Sequence, residues 1–145
     1  MEFYIEQLKK FSLELAPALN KLLRQLNETA ASLDDKDVMG MIDSEANRLF
    51  VAKRSDNREI IGMVTLIVFR AAFAKKALLE DVVVDKKYRG KGIGTKLIST
   101  AISQARKEGV AHLDFTSNPK RAEANRLYEH LGFKKRNTNV YRIEL

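Results

Sequence analysis

Arg89-Gly90-Lys91-Gly92-Ile93-Gly94 sets two cations and three glycines in six residues, after an apolar stretch and before a run of helical periodicity. A strand-to-helix turn of this composition aims several backbone N–H groups at one point. It lies at the positive end of the helix that follows, and it lacks the Cβ atoms that would hold an anion off the backbone. Arg89, Lys91 and Lys96 add counter-charge, and Thr95 closes the turn. That chemistry suits a diphosphate. Two familiar phosphate loops do not fit: GxxxxGK[ST] is absent in every register, and GxGxxG fails at its last place, where Thr95 stands. A dinucleotide-binding fold would also begin with the motif and run on for several units, whereas only about fifty residues follow here. A flexible strand-to-helix connection with no ligand is the alternative that the turn alone leaves open.

Other groups could move protons. Glu80 and Asp81 precede Val82-Val83-Val84, and strand alternation predicts that the two carboxylates point to opposite faces. Asn125 and Tyr128 are three apart on a predicted helix, so their side chains share a face. Taken alone, Tyr128 reads by default as a core aromatic beside Leu127 and Leu131. His112 falls in a predicted strand and His130 on a predicted helix surface, neither with a recognisable catalytic partner. The chain has no cysteine, which excludes disulfides, thiolate metal sites and a cysteine nucleophile. No metal site is expected.

The elements that must position these groups read as one mixed α/β domain covering residues 1–145. Met1 to Leu8 is a poorly patterned first strand. Leu13 to Leu26 carries an apolar helical face, and Asp34 to Ile42 a short helix capped by Ser32 or Asp34. Arg48 to Lys53 and Glu59 to Arg70 flank the turn-forming Ser55-Asp56-Asn57-Arg58 and predict a hairpin. Ala77 to Val84 is a strand buried at its valine-rich end. After the glycine turn, Leu97, Ile98, Ala101, Ile102 and Ala105 recur at helical spacing, with Gly109 as the stop. His112 to Thr116 is a short strand. A helix begins at Asn118-Pro119 and ends at Gly132. Asn139 to Glu144 is predicted to close the chain as a last strand.

The net charge of +7 is uneven: residues 1–72 carry 10 Lys and Arg against 11 Asp and Glu, and residues 73–145 carry 16 against 8. A basic half suits a polyanionic partner, either nucleic acid or a phosphorylated cofactor. The N-terminal residues lack the order of a signal peptide, and the longest apolar run, Ile60 to Phe69, is half of the ~20 residues a membrane span needs. A cytoplasmic protein without a membrane association is the expectation.

Read in wider register, Val82-Val83-Val84 and then Arg89-x-x-Gly92-x-Gly94 resemble the acetyl-CoA motif of the GNAT superfamily of N-acetyltransferases, [RQ]xxGx[GA] after an apolar strand. Asn118-Pro119, Ala124-Asn125-Arg126-Leu127-Tyr128 and Leu131-Gly132-Phe133 resemble a second motif of that family, in the expected order. The match covers roughly Ile60 to Leu145. It implies a mostly antiparallel central sheet with a splayed cofactor cleft and flanking helices, and acetyl-CoA as co-substrate. Val82, Val83 and Val84 would then lend backbone groups to the pantetheine arm. Arg89, Gly90, Lys91, Gly92, Ile93, Gly94 and Thr95 would wrap the pyrophosphate, and Asn118 and Asn125 would hydrogen-bond the cofactor.

The same resemblance sets the expected chemistry, direct transfer to a primary amine in a ternary complex. Backbone N–H groups near Val82 to Val84 would hold the oxyanion, and Tyr128 would protonate the leaving thiolate. Glu80 is favoured over Asp81 as general base, with substrate orientation as the alternative role for either carboxylate. The cofactor's phosphates account for the basic half, which disfavours nucleic acid. The acceptor, a small-molecule or peptide amine, is left open, and so is a homodimer. Asp34, Asp35 and Asp37 suit a cationic amine or a solvated helix start; Asn139 to Arg142 suit an acceptor wall or a closing strand.

Overall fold

Extended runs leave backbone groups that need partners, and five of them find those partners in one sheet. The computed structural model describes residues 1–145, in two compact units, Met1–Phe115 and Thr116–Leu145. The first holds β1 (Phe3–Gln7), α1 (Leu15–Leu26), α2 (Asp35–Asp43), β2 (Asn47–Arg54), β3 (Ile60–Arg70) and β4 (Lys75–Val84). A 3-10 turn (Lys86–Tyr88), α3 (Ile93–Lys107) and β5 (His112–Asp114) complete it, and the second unit holds α4 (Ala122–His130). Sheet order follows chain order, β1 to β5, antiparallel throughout except for the β4–β5 pair. The mixed, mostly antiparallel architecture is the expected one. No helix is long and apolar enough to cross a membrane.

The two faces of the sheet are covered by different helices. Leu15, Leu19 and Leu22 of α1 and Val38 of α2 pack with Leu49, Val51, Met63 and Val83. α3 lies on the other face, and Gly62 of β3 lets it come close. A Cβ there would stand 3.0 Å from Leu97 Cδ1, 3.2 Å from the Val83 carbonyl and 3.3 Å from Ile93 Cγ2. Leu97 and Ile98 are fully buried, and truncating one of them to alanine should cost about 2–5 kcal/mol.

Strand alternation fails in β4. Thr65 pairs with Glu80 and Met63 with Val83, so Asp81 and Val82 together stand opposite the single residue Val64. This is a β-bulge, with Asp81 in the left-handed region at φ 57°. Leu79, the partner of Leu66, therefore faces α3, whereas Val83, the partner of Met63, faces α1. The valine-rich end is mixed in burial: Val83 is buried, and Val82 and Val84 are half-buried.

Two further expectations are corrected. Asn139 to Glu144 forms no strand, and Val140, Tyr141 and Ile143 are 74%, 87% and 80% exposed. Their β-favouring side chains have no strand to pair with, and propensity without a ladder does not make a strand. The last helix begins at Ala122, not at Asn118-Pro119. The Asn118 side chain accepts from the N–H of Lys120, two residues on, and its carbonyl accepts from Arg121. That is an Asx-type turn placed ahead of the helix rather than a cap on it.

Candidate active site

β4 and β5 run in parallel only over Lys76–His112, Ala77–Leu113 and Leu78–Asp114. β5 stops there, while β4 continues through Val84 with no strand on that side. The backbone of β4 from Leu79 onward thus has an edge facing away from β3, in the stretch that contains Val82, Val83 and Val84. An extended chain bearing amide groups could pair with such an edge as a strand does.

The glycine turn follows within a few residues. Gly90 and Gly92 adopt φ 77° and 80°, a conformation open to glycine and costly for residues with a Cβ. Gly92 is the N-cap of α3, with no side-chain cap bond and no acidic residue in the first turn. The first helical N–H to find an acceptor is that of Lys96, which donates to the Gly92 carbonyl at 3.0 Å. Arg89, Gly90, Lys91 and Gly92 are exposed and Gly94 and Thr95 half-buried. Ile93 is the exception, because its side chain is 1% exposed and belongs to the core; only its backbone is available to a ligand. Arg89 Nε donates to the Val84 carbonyl at 3.1 Å, which folds the turn back onto the end of β4. The arrangement is an uncapped helix start in a cationic rim, able to hold an anion.

The bulge brings the two carboxylates together. Antiparallel partners share a face, so Glu80 lies on the face of Thr65. Asp81 reaches that face as well, since the buried Thr65 hydroxyl donates to Asp81 Oδ2 at 2.9 Å. The expected placement on opposite faces is thereby overturned. Partial burial of its carboxyl, and then the neighbouring charge of Asp81, push the Glu80 pKa upward although the residue as a whole is exposed.

In the second unit, Asn125 and Tyr128 lie on α4. Asn125 Nδ2 donates to the Asn118 carbonyl at 3.0 Å, tying the helix to the turn before it. Tyr128 is 6% exposed, and its ring meets that of Phe133 edge-on, with centroids 6.4 Å apart. His112 opens β5 and His130 closes α4, both exposed, as expected of a sheet residue and a helix-surface residue.

A cleft of about 620 Å³ lies elsewhere, lined by Glu6, Phe11, Lys21, Lys53, Glu59 and others of β1, α1 and the β2–β3 hairpin. It includes none of the catalytic or cofactor-binding candidates named from the sequence. Two residues of the turn's surroundings escaped the sequence reading. Gly62 was one more residue of a strand, and its need is visible only once α3 is laid over it. Asp85 is 1% exposed, yet in the sequence it is an ordinary turn former after a strand.

The acetyltransferase (GNAT) family model matches residues 16–133. Human N-acetyltransferase 8B is 28% identical over 138 residues, which cover 92% of this chain and 61% of that protein. The chain thus spans about three fifths of its curated relative's length. Among solved structures, glucosamine-6-phosphate N-acetyltransferase from Arabidopsis thaliana superposes with a TM-score of 0.83 at 19% identity, over 99% of both chains. AAC(6′)-Iy, solved with the bisubstrate analogue CoA-S-monomethyl-acetylneamine, gives 0.79 at 17% identity over 100% of both chains. At these identities the structural likeness speaks to the fold.

Proposed function

Because the chain belongs to the acetyltransferase (GNAT) family, we propose that it transfers the acetyl group of acetyl-CoA to a primary amine. The observation that carries this reading is the run from the unpaired edge of β4 into an uncapped, cationic helix start. A pantetheine arm has two amides to pair with a strand edge, and a diphosphate suits free helical N–H groups beside Arg89 and Lys91. The neighbour bound to a CoA bisubstrate analogue supports the same donor. Both compact units are read as parts of one catalytic domain, since the family match runs across the Phe115–Thr116 boundary.

Each residue then has a definite task. Acetyl-CoA supplies an activated thioester carbonyl. Backbone N–H groups on the free side of β4, around Val82 to Val84, stabilise the charge that develops on the carbonyl oxygen. Glu80 takes a proton from the amine, directly or through water; its raised pKa makes it a stronger base than an ordinary glutamate. Asp81 is already engaged by the Thr65 hydroxyl, which leaves Glu80 the freer of the pair. Tyr128 delivers a proton to the departing thiolate, and Asn118 and Asn125 hydrogen-bond the cofactor.

Calorimetry with acetyl-CoA tests the donor, and thiol release across a panel of small amines and peptides tests the transfer. Saturable acetyl-CoA binding with no thiol release for any amine would leave a binding protein and refute the enzyme. Tyr128→Phe should lower turnover by about a hundredfold while acetyl-CoA affinity stays within about twofold. Equal losses in both would remove the proton-donor role.

A further inference from the structure

The four residues that separate β4 from Arg89, three of them in the 3-10 turn, are held by side chains from α1 and the β2–β3 hairpin. Asp85 Oδ1 accepts from the N–H of Lys87 at 3.0 Å, and Asp85 Oδ2 lies 3.2 Å from Lys21 Nζ of α1. Gln25, one turn further along α1, accepts from the N–H of Lys86 at 2.9 Å. Lys21 continues to Glu59 Oε1 at 3.3 Å. Glu59 Oε2 in turn accepts from the Tyr88 hydroxyl at 2.9 Å. Arg54 Nη1 donates to the same hydroxyl at 3.1 Å, and the Arg54 guanidinium carbon stands 5.6 Å from the Tyr88 ring centroid. Asp56 accepts from Arg54 Nε at 2.9 Å and fixes it from the far side.

The Lys21–Glu59 and Arg54–Asp56 pairs lie close to solvent and add little to folding stability. What the connected set does is geometric. It ties Asp85, Lys86, Lys87 and Tyr88 to α1 and to the β2–β3 hairpin, leaving little freedom in the residues from which the turn departs. The turn needs that support. Gly90 and Gly92 give it wide conformational choice, and no side chain caps the helix it leads into. An anion site made of backbone N–H groups binds well only when those groups are already aimed.

We propose that Lys21, Glu59 and Arg54 are positioning residues for the pyrophosphate of acetyl-CoA, acting through Asp85 and Tyr88 on the turn Arg89–Thr95. The inference rests on the reading of that turn given under Proposed function. It assigns part of the α1 surface and of a distant hairpin to recognition of a ligand that neither would touch.

The test compares acetyl-CoA with S-acetylpantetheine, which keeps the thioester and lacks the diphosphate, the latter measured by competition. In the wild type acetyl-CoA should bind far more tightly. Equal affinities would refute the turn assignment, and this inference with it. If the preference is present, Tyr88→Phe, which keeps the ring and removes the bridging hydroxyl, should weaken acetyl-CoA by about tenfold and leave S-acetylpantetheine unchanged. Lys21→Met should behave alike, and Lys21→Arg should recover most of the affinity. Arg48→Met breaks the Arg48–Glu108 pair, outside this network, and serves as the control for a merely structural loss. A wild-type preference that survives both Tyr88→Phe and Lys21→Met, or equal losses for the two ligands, would overturn the positioning role while the turn assignment stands.

Discussion

Two helices of the first unit begin in opposite ways. α2 is closed by its own carboxylates: Asp34 Oδ1 accepts from the N–H of Asp37 at 2.8 Å, and Asp37 Oδ2 accepts from the N–H of Asp34 at 2.9 Å. Asp35 adds a further negative charge in the first turn. α3 begins at a glycine, with no cap bond and no acidic residue in its first turn, and with Arg89, Lys91 and Lys96 around it. Every helix start presents unpaired N–H groups and a positive dipole end. One start here is satisfied from within the chain, and the other is left open. In the acidic cluster, Asp34 and Asp37 are engaged in the helix cap.

The sharpest way to break this contrast is at Gly92. A valine there would have to leave φ 80°, re-aiming the N–H groups that follow. Gly92→Val should weaken acetyl-CoA by about a hundredfold or more, since several charge-assisted hydrogen bonds depend on that aim. Calorimetry reads the affinity, and the far-ultraviolet spectrum should stay that of the wild type. Retained affinity would show that α3 is not the anion site.

A gentler change makes α3 resemble α2. Thr95 occupies the third helical position, as Asp37 does in α2. Thr95→Asp should occupy the open start with an internal carboxylate, weakening acetyl-CoA by about tenfold and stabilising the fold by about 0.3–1 kcal/mol. Affinity and stability moving in opposite directions is the signature sought. If both fall, the substitution has merely damaged the turn. The reverse experiment, Asp34→Ala, should cost about 1 kcal/mol of stability through the lost cap and leave acetyl-CoA affinity untouched. A loss of acetyl-CoA affinity there would mean that the two helix starts are not independent.

What the sequence reveals of this contrast depends on how far each feature reaches along the chain. A glycine turn, a run of valines and an Asp-x-x-Asp start are local, and they were readable because neighbours in sequence do the work. The order of strands and helices through β5 was readable for the same reason. The bulge at Asp81 and Val82 was not, because it exists only in the register against β3, and nothing within Glu80-Asp81-Val82-Val83 announces it. The expected separation of the two carboxylates failed on that point. Gly62 and Asp85 are likewise set by partners about thirty to sixty residues away, in α3 and α1. The absent last strand is the converse case: Asn139 to Glu144 has strand-like side chains, and a strand also needs a neighbour.

The smallest expected effect concerns the support beneath the open start. Burial acts to raise the Asp85 pKa, but the N–H of Lys87, Lys21 and Gln25 together outweigh it, and the group titrates below the ordinary aspartate range. Glu108, held by Arg48, is shifted the same way. A depressed folded-state pKa contributes stability that is present above the unfolded value, about 3.9 for an aspartate and about 4.3 for a glutamate, and lost as pH falls through the folded one. Wild-type stability should therefore decline below about pH 5 on account of these groups. In Lys21→Met the buried Asp85 carboxyl keeps its desolvation and loses a cation, so its folded pKa must rise towards the unfolded value and the acid-side decline that it causes must become shallower. Arg48→Met should shift the curve through Glu108 but leave acetyl-CoA affinity unchanged. Lys21→Met should shift it through Asp85 and weaken acetyl-CoA as well, because Asp85 stands at the root of the turn. Identical pH–stability curves for wild type and Lys21→Met would mean that the amine does not hold that carboxylate, and that the open start is supported from elsewhere.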